Sequence, residues 1–140
     1  MLVAAIALAW LPAPGAAPVA DAASCLRFDA ARFDAPGEDR LNLNGEFVRL
    51  RNGCSGTVAL GGWRVRDRAR ITYRFPSTAR LGGGKVAYLH TGRGARTSLR
   101  YYWGRTSPVW GDDSSERAYL VRSDGRVVST WSAAGTPTGA

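Results

Sequence analysis

The sequence has no apolar run long enough to cross a membrane and few of the residues that most often carry catalysis. Its longest apolar stretch, Leu2 to Leu11, spans ten residues, whereas a transmembrane helix needs about twenty. Histidine occurs once, at His90, and cysteine twice, at Cys25 and Cys54. A zinc site ordinarily needs four ligands, so these residues do not suffice for one. The sequence therefore predicts neither a transmembrane segment in the mature chain nor a metal site.

The first residues have features of an export signal. The apolar run is followed by prolines and small residues, including Ala-Asp-Ala at residues 20–22, a pattern typical of a cleavage site. The usual basic start is missing, because the apolar run begins directly after Met1. We predict a signal peptide at residues 1–23, one domain at residues 24–132 and a flexible tail at residues 133–140. A secreted or cell-surface protein is therefore expected.

The two cysteines admit two interpretations. In an exported chain an even number of cysteines favours a disulfide, here between Cys25 and Cys54. Closing that loop would stabilise the fold by roughly 3–4 kcal/mol, because the cross-link restricts the unfolded chain. The alternative treats Ala23-Ser24-Cys25 as a degenerate lipoprotein signal with an acylated cysteine. Ala22 then stands where a large aliphatic residue is usual.

Positive charge dominates the composition. The chain holds 19 Lys and Arg residues against 11 Asp and Glu, for a net charge of +8 at pH 7. Lys85 is the one lysine, so almost all of this charge is arginine. Such a bias is compatible with binding to polyanions. It is also typical of a GC-rich coding sequence, so composition alone does not decide between the two explanations.

The domain shows the alternation of β-strands rather than a helical period. Gly or Pro interrupts every candidate helix, and turn signals such as Asn52-Gly53 and Asp124-Gly125 separate short alternating runs. The run at residues 85–90 is nearly continuously apolar, which is typical of a strand covered on both faces. The pattern predicts an all-β, two-sheet antiparallel sandwich. The predicted strands are residues 26–30, 46–51, 58–60, 63–66, 71–75, 85–90, 99–103, 118–123 and 127–131.

Seven motifs resemble the lamin-tail domain, most closely its exported bacterial form, over residues 25 to 132. They occur in the family's order and read LNGEFVRLRN, VALGGWRVRD, YRFP, LGGGKVAYLHTGRG, YWG, VWGDD and DGRVVSTW. Gly111 departs from the pattern, since an Asn commonly follows the Val-Trp pair there. The resemblance implies an immunoglobulin-like sandwich with no enzymatic activity and no cofactor. Such domains serve as interaction or attachment modules on nuclear lamins and on secreted or surface bacterial proteins.

The aromatic-rich segment at residues 101–113 ends in two adjacent acids, Asp112 and Asp113. A calcium loop places its carboxylates at alternating positions over a longer stretch. We therefore interpret the two acids as turn residues that hydrogen-bond nearby amides, although a weak calcium site is the alternative. The tryptophans are interpreted as core anchors rather than a ligand shelf: Trp63, Trp103 and Trp110.

His90 and the glycines of TGRGAR raise the question of catalysis or phosphate binding. A small hydrolase using His90 with Ser98 or an acid is one hypothesis. No nucleophile-elbow pattern occurs, however, and no helix pattern follows the glycines as a phosphate-binding loop requires. We therefore predict that the protein is not an enzyme, that His90 is structural and that residues 91–96 form a turn.

Arginines on alternating strand positions are the remaining candidate binding residues. Arg49 with Arg51, and Arg64 with Arg66, are expected to face outward if their apolar neighbours are buried. They would bind an anionic polymer such as DNA or a wall polymer. The alternative is a solvated basic surface whose arginines pair locally with Glu46, Asp67 and Glu116.

Two functional hypotheses follow. The first is an exported, non-catalytic interaction or attachment module with an unknown protein partner at the cell surface or outside the cell. The second is a basic polyanion-binding protein that uses the outward arginines. Affinity for DNA or heparin at rising salt separates them, because electrostatic binding weakens steeply as salt increases.

Overall fold

The computed structural model describes residues 25–111, 114–133 and 137–139. Two short 3-10 helices, Asp39–Leu41 and Leu43–Gly45, lie between the first two strands. Asp112 and Asp113, with the turn predicted there, lie outside the described residues, as does the predicted signal peptide. The strands are β1 (Leu26–Arg32), β2 (Phe47–Asn52), β3 (Val58–Ala59), β4 (Arg64–Arg66), β5 (Thr72–Arg74), β6 (Arg80–Leu81), β7 (Val86–His90), β8 (Arg100–Tyr102), β9 (Arg117–Val121), β10 (Val127–Ser132) and β11 (Pro137–Gly139).

The strands form two main sheets, which confirms the predicted all-β sandwich. The four-stranded sheet has the order β1-β2-β7-β8, and the five-stranded sheet has the order β11-β10-β9-β4-β5. A small third sheet pairs β3 with β6. One described pair departs from the predicted antiparallel arrangement, because β7 and β8 run parallel. The loop at residues 91–99 leads the chain back along the sheet, so that β8 runs in the same direction as β7. Apolar alternation does not encode strand direction, so this pairing was not predicted.

Alternating side chains fill the space between the two main sheets. On β2, Val48 and Leu50 are buried while the residues between them are half-exposed, and β4 shows the same pattern around Val65. Each large apolar side chain so buried stabilises the fold by about 1.5–3 kcal/mol relative to exposure. Buried apolar residues of both sheets form one hydrophobic cluster, which includes Phe28, Val48, Leu50, Val65, Leu89 and Leu120.

Aromatic rings close one part of this core. Trp63 and Trp110 are buried, and Trp103 is partly buried against the cluster. Trp110 stacks on Phe33 at a centroid distance of 4.8 Å and meets Trp103 edge-to-face at 5.8 Å. Both geometries suit the charge distribution of aromatic rings. These tryptophans therefore pack as part of the hydrophobic core.

Two β-bulges are joined by a hydrogen bond between the sheets. The pairing of β1 with β2 shifts between Phe28 and Ala30, and that of β10 with β9 shifts between Val127 and Ser129. A bulge leaves backbone groups without their ladder partner. The Phe28 amide donates to the Ser129 hydroxyl at 3.1 Å. A buried amide that the ladder does not pair is thus satisfied by a side chain of the other sheet.

The predicted disulfide between Cys25 and Cys54 is confirmed. Cys25 immediately precedes β1, Cys54 follows β2, and the antiparallel pairing of those strands brings the two ends together. The Gly53 amide donates to the Cys25 carbonyl at 2.8 Å, and the two cysteine Cα atoms are 5.1 Å apart. That separation suits a disulfide. The sulfur that the lipid alternative would acylate is therefore engaged in the cross-link.

Three features differ from the sequence-based expectations. Alternation did not predict β6, which has only two residues, or β11. β11 pairs with β10 and lies within the predicted flexible tail, residues 133–140. The strand at residues 86–90 is not covered on both faces, because Val86, Tyr88 and His90 are half-exposed. Within the part of the chain that the structure describes, no helix has the length and apolarity needed to cross a membrane.

Candidate interaction surface

The outer side of the four-stranded sheet carries a set of arginines and rings that we call the arginine–aromatic face. Its members are outward because their neighbours on each strand, such as Leu50 on β2 and Leu89 on β7, are buried in the core. Strand side chains alternate between faces, so the residues between the buried ones share the outer side. The face includes Arg27, Asp29, Arg32, Phe47, Arg49, Arg51, Tyr88, His90, Arg100 and Tyr102.

Strand register arranges this face in two rows across the sheet. One row is aromatic and runs from Phe47 through His90 to Tyr102 on directly opposed positions of β2, β7 and β8. The adjacent row runs from Arg49 through Tyr88 to Arg100 in the same way. Directly opposed side chains in a sheet lie close enough to interact. Register thus brings together residues that are far apart in the sequence.

Ring and guanidinium contacts fix the side chains within these rows. The ring planes of Tyr88 and His90 are nearly parallel, with centroids 5.8 Å apart, and His90 stacks on Tyr102 at 5.2 Å. The Arg100 guanidinium lies over the Tyr88 ring, 4.6 Å from its centroid. Phe47 meets Tyr88 edge-on at 5.3 Å. Such cation–π and ring contacts hold long side chains in one arrangement before any partner arrives.

Asp29 holds the two predicted arginines of this face. Arg49 Nε donates to Asp29 Oδ1 at 2.7 Å, and Arg51 Nε donates to Oδ2 at 2.8 Å. Burial by itself raises the pKa of Asp29, but the hydrogen bonds from the two guanidinium groups outweigh it and keep that pKa below its ordinary value. The same hydrogen bond from Arg49, together with one from Arg49 to the Tyr88 hydroxyl, raises the pKa of Arg49.

His90 is bound at both ring nitrogens. Its Nδ1 lies 2.9 Å from the Asn44 carbonyl oxygen, which only accepts, so Nδ1 carries the hydrogen. Its Nε2 lies 2.9 Å from Arg100 Nη1, which only donates, so Nε2 accepts. Burial, with the charge of Arg100, lowers the pKa of His90 despite the hydrogen bond to Asn44. A neutral imidazole occupied in this way serves to position Arg100.

The glycines at residues 92 and 94 fit this packing rather than a phosphate cradle. The Gly92 amide donates to the Asn44 side chain at 2.8 Å. A Cβ at Gly94 would lie only 2.4 Å from the Tyr102 ring, so only glycine lets the loop pass over that ring. The loop that follows β7 therefore covers one end of the arginine–aromatic face.

The predicted arginines do not form one surface. Arg64 and Arg66 lie on β4 of the five-stranded sheet, flanking the buried Val65. Because the two sheets pack through their inner faces, their outer faces look in opposite directions. The pair Arg49 and Arg51 is thus on one side of the sandwich, and the pair Arg64 and Arg66 is on the other.

The three acids predicted to pair locally with these arginines have other roles. Glu46, Asp67 and Glu116 are all buried. Asp67 accepts from the Ile71 amide at 2.8 Å, and Glu116 accepts from the Gly111 amide at 2.7 Å. Glu46 accepts from the Thr91 hydroxyl at 3.1 Å. The acid that does pair with Arg49 and Arg51, Asp29, was not predicted, although its outward position on β1 was visible in the alternation.

The comparisons with known proteins agree with this architecture. The lamin tail domain family matches residues 22–135 of the chain. The chain belongs to the lamin tail domain family. Human lamin-B2 is 30% identical to this lamin tail domain over 99 residues, which cover 65% of the chain and 16% of lamin-B2. The chain therefore spans about a sixth of that relative's length.

Membership of the lamin tail domain family places the chain in a structural, non-enzymatic type of domain that is typical of interaction modules. Among residues 25–111, 114–133 and 137–139, no three His, Cys, Asp or Glu side chains gather in a way that could hold a metal ion.

Asp29→Asn is expected to lower the free energy of unfolding by about 1–2 kcal/mol at pH 7, because the three hydrogen bonds from Arg49 and Arg51 lose their charged acceptor. The depressed pKa of Asp29 adds stability above its unfolded-state pKa, and that stability is lost as pH falls through the folded value. The difference between the original chain and the variant should therefore shrink below about pH 4. Urea unfolding at pH 7 and pH 3 measures it.

The exposed Asp34 offers the matched control for this change. Asp34→Asn should alter the free energy of unfolding by less than about 0.5 kcal/mol, as is usual for an exposed site. An Asp29→Asn effect that is no larger than the control, or that stays the same at pH 3, contradicts the role assigned to the ion pairs.

Proposed function

We propose that this lamin tail domain is an exported, non-catalytic interaction module that binds a protein partner through the arginine–aromatic face. The observation that carries the proposal is the ordered double row of rings and guanidinium groups on that face. Tyrosine and arginine are enriched among the residues that dominate interface energies. Their side chains here are already fixed by contacts within the sheet, so little conformational entropy is lost on binding.

The charges of the face favour an acidic partner surface. The arginines of the face contribute five positive charges, and Asp29 offsets one of them; they are Arg27, Arg32, Arg49, Arg51 and Arg100. The exposed arginines lie at opposite edges of the sheet, with Arg27 and Arg32 on β1 and Arg100 on β8. Such peripheral charges speed encounter with a partner of opposite charge and exclude partners of like charge. We therefore expect the partner to present carboxylates around an apolar or aromatic centre.

Export is supported by the disulfide and by the predicted signal peptide at residues 1–23. Disulfides persist in oxidising compartments and are rare in reducing ones. Mass spectrometry of the protein from the culture medium or cell surface should find a chain that begins after residue 23, with its two cysteines oxidised. A chain that starts at Met1 and is found inside cells with free thiols contradicts this part of the proposal.

Charge reversal tests the face directly. The double variant Arg32→Glu/Arg100→Glu should lower binding to partners from the envelope and medium fractions by at least about tenfold, because it inverts the peripheral charge. Arg74→Glu/Arg126→Glu is the matched control, since it makes the same change in net charge at exposed positions of β5 and of the turn between β9 and β10. Quantitative pull-down measures both. Equal loss in the two variants, or no loss in either, contradicts the proposal.

The polyanion hypothesis requires arginines that act together on one surface. Arg49 and Arg51 share a carboxylate, and Arg64 and Arg66 lie on the other side of the sandwich. These positions favour the protein-binding proposal over a continuous track for a nucleic acid or wall polymer. Affinity for heparin that falls steeply with salt and depends equally on both arginine pairs would reverse that preference.

A further inference from the structure

The outer side of the five-stranded sheet contains a cleft that the proposed function does not use. The cleft has a volume of about 250 Å³. It lies over β4, whose neighbours in the sheet are β9 and β5. We call it the arginine cleft, and its lining consists of Arg64, Arg66, Arg70, Thr72, Val121 and Gly125.

Local structure positions two of the three arginines, Arg66 and Arg70. The Arg66 guanidinium lies 4.3 Å from the centroid of the Tyr119 ring on the neighbouring strand, which holds it across the sheet. Arg70 has a φ of 68°, an unusual value for a residue with a side chain. Its backbone is fixed by the turn in which the Arg70 amide donates to the Asp67 carbonyl. The fold itself therefore holds the Arg66 side chain and the Arg70 backbone in place.

The positive charge of the cleft is not compensated by the described residues. No described carboxylate pairs with Arg64, Arg66 or Arg70. Arg64 Nε is buried and has no hydrogen-bond partner among the described atoms. Buried donors are nearly always satisfied, so the acceptor of this one is a solvent or ligand atom and not an atom of the described residues.

A further arginine next to the cleft also favours a bound anion there. Arg74 lies directly opposite Arg64 in the pairing of β5 with β4. Like charges at directly opposed positions destabilise a sheet unless something intervenes between them. The adjacent turn does carry an acid, Asp124, but Arg122 Nε donates to it at 2.9 Å and the Arg126 amide at 3.1 Å.

We propose that the arginine cleft binds a compact oxyanion, either sulfate or a phosphate group. Guanidinium groups are planar donors that match pairs of oxygen atoms on such an anion, and the buried Nε of Arg64 supplies a further donor. The volume lies below the range of about 300–1,000 Å³ typical of drug-sized ligands, which favours a small charged group. This site is on the opposite side of the sandwich from the arginine–aromatic face.

Nuclear magnetic resonance of the full chain tests the proposal. Titration with sodium sulfate or phosphate should shift the Arg64 Nε–H signal with a saturable dependence, whereas sodium chloride at equal ionic strength should not. A comparison of inorganic phosphate with methyl phosphate identifies the source of the group. Equal binding indicates that the cleft accepts a phosphate ester, and binding of inorganic phosphate alone indicates the free ion.

Variants distinguish specific anion binding in the cleft from non-specific attraction to positive charge. Arg70→Asn removes the guanidinium but keeps a residue that tolerates positive φ, and Arg64→Gln removes the buried donor. Each should weaken sulfate binding at least about tenfold, as expected for the loss of a charged hydrogen bond. The control, Arg80→Gln at an exposed position of β6 in the small third sheet, should change it less than about twofold.

The outcomes against the proposal are also defined. A linear, unsaturated response to sulfate, or an equal loss in Arg80→Gln and Arg70→Asn, shows general ion screening and overturns it. Because Arg70 is exposed, its variant remains informative even if Arg64→Gln fails to fold.

Discussion

Replacing both Cys25 and Cys54 with serine is expected to lower the free energy of unfolding by about 3–4 kcal/mol. The disulfide closes a loop with a sequence separation of 29 residues, and its removal frees that loop in the unfolded chain. Domains of this size are stable by only about 5–15 kcal/mol. The double variant should therefore lose a large fraction of its stability, with a melting temperature lower by roughly 10–20 °C.

Reduction provides the control for this change. The original chain in reductant should unfold at the same urea concentration as the Cys25→Ser/Cys54→Ser variant, and reductant should leave the variant unaffected. A loss below about 1 kcal/mol contradicts the claim that the link between β1 and β2 stabilises the sandwich.

Phe28→Ala should lower the free energy of unfolding by about 3–5 kcal/mol. Phe28 is 0% exposed, and it lies opposite Leu50 in the pairing of β1 with β2. Its amide donates to Ser129 of the other sheet, so the ring occupies the point where the two sheets are joined. A truncated side chain there loses apolar burial and leaves a cavity. Urea unfolding followed by tryptophan fluorescence measures the effect.

Leu41→Ala is the apolar control, because Leu41 is 82% exposed. Its replacement should change the free energy of unfolding by less than about 0.5 kcal/mol. Phe28→Leu should fall between the two, since it leaves a smaller cavity. A Phe28→Ala variant as stable as Leu41→Ala would show that the assigned core is wrong.

Apolar alternation predicted most of the fold because burial acts on each strand separately. Leu50, Val65 and Leu120 lie inward for the reason that the sequence suggests, namely that every second residue faces the core. The same rule does not predict β6, because its two residues are too few to show an alternating pattern. It also carries no information on strand direction, so the parallel pairing of β7 with β8 was not predictable from it.

The candidate interaction surface was only partly predictable, because it depends on register. The sequence indicated that Arg49 and Arg51 face outward, but their partner Asp29 comes from another strand. The apolar run at residues 85–90 was interpreted as a doubly covered strand. Its outward members, Tyr88 and His90, instead pack against rings and arginines of neighbouring strands in the same sheet. Contacts between strands are set by pairing and are not visible in any one segment.

The four predicted arginines lie on opposite sides of the sandwich for a similar reason, since alternation within a strand does not show how the strands pair. Arg49 and Arg64 occupy equivalent positions in their own strands, each next to a buried valine. Alternation places both outward but does not state which sheet each strand joins. The topology puts β2 and β4 in different sheets, and the two surfaces therefore have different surroundings. One is neutralised in part by Asp29, and the other forms the arginine cleft.

Photo-cross-linking in the living source organism tests the central claim, that the arginine–aromatic face is the partner-binding surface. A photoreactive phenylalanine analogue at Tyr102 should give one dominant adduct, and the same analogue at Thr72 on the opposite face should give none. Fluorescence unfolding of both variants should first show a native fold. Adducts of equal intensity from both positions, or none from position 102, would contradict the account.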